Sequence, residues 1–200
     1  MDFIKKSITK EEINQLPVVS YKGDIVLVDS QDSVADAVER IKQKTMVGID
    51  TETRPSFQKG KSNMFKVALL QVATDDCVFL FRLNKVGLKE EIMSIFQSAS
   101  IMKIGLAVGG DIDALNKLSK FKAMNMIDIQ AMIKKIGLEV QSLQKIFAIL
   151  LGGKIAKPTK VQLSNWNAEV LTDKQKEYAA TDAWACVEIY NKLIELENSK

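Results

Sequence analysis

The chain has 200 residues, 46% of them apolar and 26% charged, which fits one soluble globular domain with a single core. It contains no histidine, which excludes Ser-His-Asp and Cys-His catalysis and histidine-ligated zinc, and leaves acid–base chemistry to carboxylates, lysine, tyrosine, cysteine or metal-bound water. No window is apolar for long enough to span a bilayer, and the acid-containing N-terminus MDFIKKSITKEEINQ lacks the apolar stretch of a secretory signal, so an intracellular protein without membrane contact is expected.

Residues 1–23 read as an N-terminal arm or short helix, and residues 24–200 as the domain proper. DIVLV, at 24–28, is a strand. The helix after it places Val34, Ala37, Val38 and Ile41 on one stripe, at spacing i, i+3, i+4, i+7. Three β-type runs follow, Met46–Thr51, Val67–Ala73 and Cys77–Leu83, the last two joined as a hairpin through Asp75–Asp76. A helix over Lys89–Gln97 leads to a fourth strand, Met102–Ala107. Gly109–Gly110 opens a helix carrying Ile112, Leu115 and Leu118. Met126–Ile129 is a short fifth strand or a lead into a helix near 130–136. Ser142–Leu151 is a helix closed by Gly152 at a left-handed C′ position. Residues 153–165 form a lysine-bearing loop with Pro158. In the last helix Thr172 and Gln175 fit a capping box, and Ala180, Trp184, Val187, Tyr190 and Ile194 form its apolar stripe. Strands first and interleaved helices later predict an α/β fold with a mixed central sheet flanked by helices. Cys77 and Cys186 lie far apart and in no metal-ligand spacing, so they read as reduced core residues.

The net charge of +3 is small, but it is unevenly spread. Residues 114–165 hold nine lysines against Asp128 and Glu139, so the remainder of the chain is net acidic. A phosphate-binding wall beside a metal-binding carboxylate cluster would look like this. Any single lysine among the nine is better explained by solvation of a helix face.

Three short segments can carry chemistry. In Gly48-Ile49-Asp50-Thr51-Glu52, alternation puts Asp50 and Glu52 on one face of a strand. Two carboxylates that close resist joint ionisation, and a divalent cation with hard oxygen ligands relieves them. While the pair stands alone, a strand ending in a polar loop is the weightier account. Asp111 opens the helix after the fourth strand, where a carboxylate caps the helix or faces a cleft. It lies four residues before Leu115 and shares the inward side of that helix, whereas Asp113 turns outward. Tyr178 and Asp182 are i, i+4 on the last helix and project from one face. The small residues between them allow that helix a close approach to another element; a core tyrosine bonded to its neighbour is the plainer alternative.

Together the three segments resemble the exonuclease motifs of the DEDD superfamily: D-x-E on the first core strand, G-D-x-x-x-L after a later strand, and Y-x-x-x-D on the final helix. The tyrosine subgroup, which includes ribonuclease D and Werner-type exonuclease domains, is the better match, and its sister subgroup needs a histidine in the third motif. Val67-Ala68-Leu69-Leu70-Gln71 is similar to that family's second strand, and Ser164-Asn165-Trp166, Leu171-Thr172 and Tyr178–Ala183 are similar to its C-terminal stretch. The resemblance covers roughly residues 24–195. It implies a ribonuclease-H-like exonuclease fold and a metal-dependent 3′→5′ exonuclease that releases 5′-mononucleotides from nucleic-acid 3′ ends, DNA or RNA. Asp50, Glu52 and Asp182 would hold one Mg²⁺ or Mn²⁺ ion, Asp50 would bridge to a second, Asp111 would complete that second site, and Tyr178 would orient the attacking water. Lys157 and Lys160 are the candidate contacts to backbone phosphates, and Arg54 and Phe57 to the terminal nucleotides. No helicase and no helical nucleic-acid-binding domain is expected in this chain, which ends at Lys200. The alternative is a catalytically weak nucleic-acid-binding module on the same scaffold. That reading predicts a broken carboxylate set, and all five positions are filled.

Overall fold

Strands form here where an apolar run can be covered on both faces, and one run carries the site. A computed structural model describes residues 5–53 and 66–199. Thr9 caps α1 (Lys10–Asn14) through a capping box with Glu12, and β1 (Val18–Val19), β2 (Asp24–Val28) and α2 (Gln31–Lys42) follow. The centre of the chain supplies β3 (Met46–Thr53), β4 (Val67–Ala73) and β5 (Cys77–Phe81). Next come α3 (Leu83–Val86), α4 (Glu90–Gln97), β6 (Met102–Gly105), α5 (Gly109–Asn116), β7 (Met126–Asp128) and α6 (Ile129–Lys135). The C-terminal third holds α7 (Leu143–Leu151), β8 (Lys154–Ile155), α8 (Thr159–Gln162) and α9 (Asp173–Asn198). Among the described residues no helix is long and apolar enough to cross a membrane.

Six strands form one mixed sheet in the order β2-β5-β4-β3-β6-β7. β4 runs antiparallel to β3 and β5, and the other pairs are parallel. Every residue of β4 and β5 is buried, as befits strands covered on both faces. One face carries Ile49, Leu70, Val72, Phe79 and Phe81, packed with Val34 and Val38 of α2, Phe96 of α4 and Leu115 of α5. On the other face Leu69, Val78 and Leu80 meet Ala180 and Ala183 of α9, while Ile104 and Ile129 join α7 and the C-terminal half of α9. The period-two alternation that sends Ile49 toward α2 sends Asp50 and Glu52 toward α9.

Close packing of α9 on β3 depends on a glycine. A Cβ on Gly48 would sit 2.2 Å from the Ala183 carbonyl oxygen, so any other residue there would push the helix away. The capping box expected at Thr172 and Gln175 is present and starts α9. The expected five-residue stripe on this helix is too narrow. Tyr178 through Asp182 are all buried, as are Ala183, Ala185, Cys186 and Val187, because α9 lies between the sheet and α7. Trp184 and Tyr190, assigned to the stripe, are only half-buried.

Two strand ends also move. The run expected to Leu83 stops at Phe81, because its partner β2 ends at Val28; the amides of Lys85 and Val86 then bond back to the Arg82 carbonyl as α3. The run expected to Ala107 stops at Gly105, and Ala107 turns into a positive φ of 56° with its amide on Asp128 Oδ1. Gly152 takes the left-handed C-cap expected of it. The lysine-bearing segment 153–165 is more ordered than a loop. β8 pairs in parallel with β1, and α8 starts after Pro158. Residues of the arm are tied down as well: the Tyr21 amide donates to Thr181 Oγ1 at 3.0 Å and the Glu139 amide to the Lys6 carbonyl.

Candidate active site

The site forms at the C-terminal end of β3, where strand, α5 and α9 converge. Asp50 and Glu52 project from β3 toward α9, and Asp182 answers from the helix. Carboxylate oxygens of these three residues all lie within 4.8 Å of one another. Asp182 is only 3% exposed. Its Oδ1 is buried without a hydrogen-bond partner among the described residues, and its Oδ2 faces the Lys157 ammonium at 3.4 Å. Tyr178, one helical turn earlier, is 6% exposed; its ring packs against the fully buried Trp166, with centroids 6.0 Å apart, and the Lys157 ammonium lies 5.9 Å from its centroid. Asp111 approaches from α5 and accepts a hydrogen bond from Thr51 Oγ1 at 2.5 Å. The Thr51 amide in turn donates to Asp50 Oδ1 at 2.9 Å.

Crowding of like charge in a poorly solvated place shows in the proton affinities. Burial, and then Asp50 and Asp182, push the Glu52 carboxyl up to about 9. Asp50 is also raised well above the ordinary carboxylate range, by burial first and by Asp182 and Asp111 next. Burial raises Asp111 to about 6. Asp182 is raised by burial and partly relieved by Lys157. Burial and the neighbouring carboxylates push the Tyr178 phenol up, so in the metal-free protein it keeps its proton and acts as a hydrogen-bonding group rather than as a base.

An all-oxygen, anionic donor set with one orphaned buried carboxylate oxygen suits a hard divalent cation. Nitrogen and sulfur ligands are missing from this group, which sets it apart from a zinc site. The donor set therefore fits a divalent metal, and a metal would offset both the burial and the Asp50 and Asp182 repulsion that raise Glu52.

Of the residues singled out in the sequence, Asp50, Glu52 and Asp182 come together, with Tyr178 beside them. Asp111 stands outside the three-carboxylate group yet close enough to raise Asp50. Asp113, on the same helix, is exposed, as the helical spacing required. Lys157 lies against Asp182 and the Tyr178 ring, while Lys160 is exposed on α8. Arg54 and Phe57 lie outside the described residues. Sequence reasoning missed Thr51, which links Asp50 to Asp111, and missed that Trp166 buttresses Tyr178. Alternation gave no hint of Thr51, since it faces away from Asp50; only the placement of α5 on that second face brings Asp111 to it.

The family model described as 3′-5′ exonuclease matches residues 25–196. The chain is 29% identical over 197 residues to the bifunctional 3′-5′ exonuclease/ATP-dependent helicase WRN of Mus musculus, covering 95% of this chain and 14% of that protein. It is 29% identical over 159 residues to a 3′-5′ exonuclease of Arabidopsis thaliana, covering 76% of this chain and 54% of that protein. It thus spans about half or less of these relatives. Trypanosoma brucei RNase D, crystallised with RNA U12, superposes with a TM-score of 0.74 at 21% identity, over 86% of this chain and 63% of that one. The fold is therefore the ribonuclease-D type of exonuclease fold. With the family model spanning the sheet, the carboxylates and α9, the chain belongs to the 3′-5′ exonuclease family.

Proposed function

We propose that residues 24–200, preceded by an N-terminal arm over 1–23, form a divalent-metal-dependent 3′-5′ exonuclease domain of the tyrosine subgroup that acts inside the cell on nucleic-acid 3′ ends and releases 5′-mononucleotides. The observation that carries this reading is the convergence of Asp50, Glu52 and Asp182 within 4.8 Å in a member of the 3′-5′ exonuclease family. Two free, buried cysteines agree with an intracellular setting.

Asp50, Glu52 and Asp182 would hold a first ion, and Asp50 and Asp111 would hold a second. Mg²⁺ or Mn²⁺ held there would lower the pKa of a bound water and stabilise the charge that develops on the leaving 3′ oxygen. Thr51 fixes both carboxylates of the second site, through its amide to Asp50 and its hydroxyl to Asp111. Tyr178 keeps its proton and orients the attacking water, held in place by Trp166. Lys157 is close enough to the carboxylates to meet a phosphate of the terminal nucleotides, and Lys160 meets the backbone further out. Arg54 and Phe57 complete the terminal-nucleotide contacts in this proposal.

The test is digestion of end-labelled DNA and RNA with Mg²⁺, with Mn²⁺ and with EDTA. Stepwise 3′ shortening with either ion, abolished by EDTA, is the expected result. Equal activity in EDTA, or cleavage of closed circular substrates, would reject it.

A further inference from the structure

Gln71 carries a fully buried amide. Among the described residues neither its Nε2 nor its Oε1 has a hydrogen-bond partner, and the residue is 0% exposed. Buried side-chain amides are nearly always paired, so each exception needs a reason. An apolar residue of equal size would fill the same space without that penalty.

The register shows what lies beside it. Gln71 stands directly opposite Asp50 across the antiparallel β3–β4 pair, and on its other side opposite Leu80 of β5. Directly opposed residues share a sheet face, with Cβ atoms about 5 Å apart. Leu70 and Val72 belong to the core on the α2 side, and Leu80 to the core on the α9 side. Gln71 therefore faces α9, next to Asp50. The helix packed on this face carries the small residues Ala179, Ala180 and Ala183. Asp182 Oδ1, a buried carboxylate oxygen that likewise has no partner among the described residues, belongs to the same candidate metal-binding group as Asp50.

Among the described residues Asp50 is tethered on one side. Its Oδ1 accepts the Thr51 amide, which still allows the carboxylate to swing. We infer that Gln71 is a positioning residue for the metal site: its carboxamide, through one buried water, fixes the Asp50 carboxylate from the β4 flank. This rests on the proposed metal-binding role of Asp50. Outer-shell partners of ligating carboxylates commonly set metal affinity by restricting how the ligand turns, and their loss costs about 10- to 100-fold. A buried water with two or three polar partners is an ordinary structural element.

Gln71→Met in the full chain removes the amide at nearly constant volume. Mn²⁺ affinity is read by electron paramagnetic resonance, folding by the thermal melt of the metal-free protein, and single-strand cleavage by kcat and KM separately. The expected result is a folded protein with Mn²⁺ bound about tenfold more weakly, a lower kcat, and a KM for the strand within about twofold of the parent. A folded variant whose Mn²⁺ affinity stays within about twofold of the parent overturns the inference and leaves the metal site standing. A parent chain that binds no Mn²⁺ overturns the metal site and this inference with it. If the variant does not fold, a Mn²⁺-bound crystal structure of the parent decides. The Gln71 amide sharing a water with Asp50, or bonding it directly, supports the inference, and an amide bonded elsewhere overturns it.

Discussion

Glu52→Gln should stabilise the metal-free protein while destroying its response to metal. In the folded chain the Glu52 carboxyl is raised from an ordinary 4.5 to about 9, by burial and by the Asp50 and Asp182 charges. Between those two values the folded state holds a proton that the unfolded state releases, so stability falls as pH rises through that window. The penalty is absent below pH 4.5, grows with pH, and levels off above 9. At pH 7 it amounts to roughly 3 kcal/mol, from 1.36 kcal/mol for each tenfold change in proton activity. Because Asp50 titrates in the same cluster and relaxation relieves part of the strain, half of that is the safer figure. Glutamine keeps the shape and never ionises, so it removes the penalty. A gain of about 1.5 kcal/mol corresponds to roughly 3–6 °C in melting temperature for a chain of this size. The assay is thermal unfolding of both proteins in EDTA at pH 5, 7 and 8.5, repeated with excess Mn²⁺. The stability difference should be near zero at pH 5, grow toward pH 8.5, and reverse with Mn²⁺, because only the parent gains the mass-action term of a bound ion, about 2.7 kcal/mol at a hundredfold excess over Kd. A difference that does not vary with pH, or one that grows toward acid, would refute the electrostatic account of the cluster.

Tyr178→Phe should lower single-turnover cleavage by roughly 10²–10³ with strand binding in Ca²⁺ unchanged; cleavage at the parent rate would remove the hydroxyl from the mechanism. Asp111→Ala should abolish exonuclease activity, whereas the exposed Asp113→Ala should leave it within about twofold, and the opposite ranking in a gel assay would misplace the second metal site. Lys160→Ala should weaken binding to all sequences and reduce the slope of log affinity against log salt by about one. Lys157→Ala should add a loss of metal-free stability through Asp182, so equal melting temperatures for the two lysine variants would count against the observed ion pair.

Local chemistry was enough for much of this protein. The α2 stripe, the β4–β5 hairpin, the caps at Thr172 and Gly152 and the shared face of Asp50 and Glu52 follow from short-range spacing. Each depends on residues within a few positions of one another, where helix and strand periods fix direction. The outward turn of Asp113 was legible for the same reason. What the sequence could not hold is which distant segments share a neighbourhood. Strand ends were misjudged at Leu83 and Ala107 because a strand stops where its partner stops, and the partners β2 and β7 lie elsewhere in the chain. The width of the buried face on α9 depended on α7 covering its back. Lys157 could be seen as a basic residue near the last helix, but its seat against Asp182 depends on how the 153–165 segment folds back. Thr51 and Gln71 gained their meaning only from the register of β3 with β4 and from α5 sitting on the second face, because contact across a sheet is set by pairing, and pairing is not local.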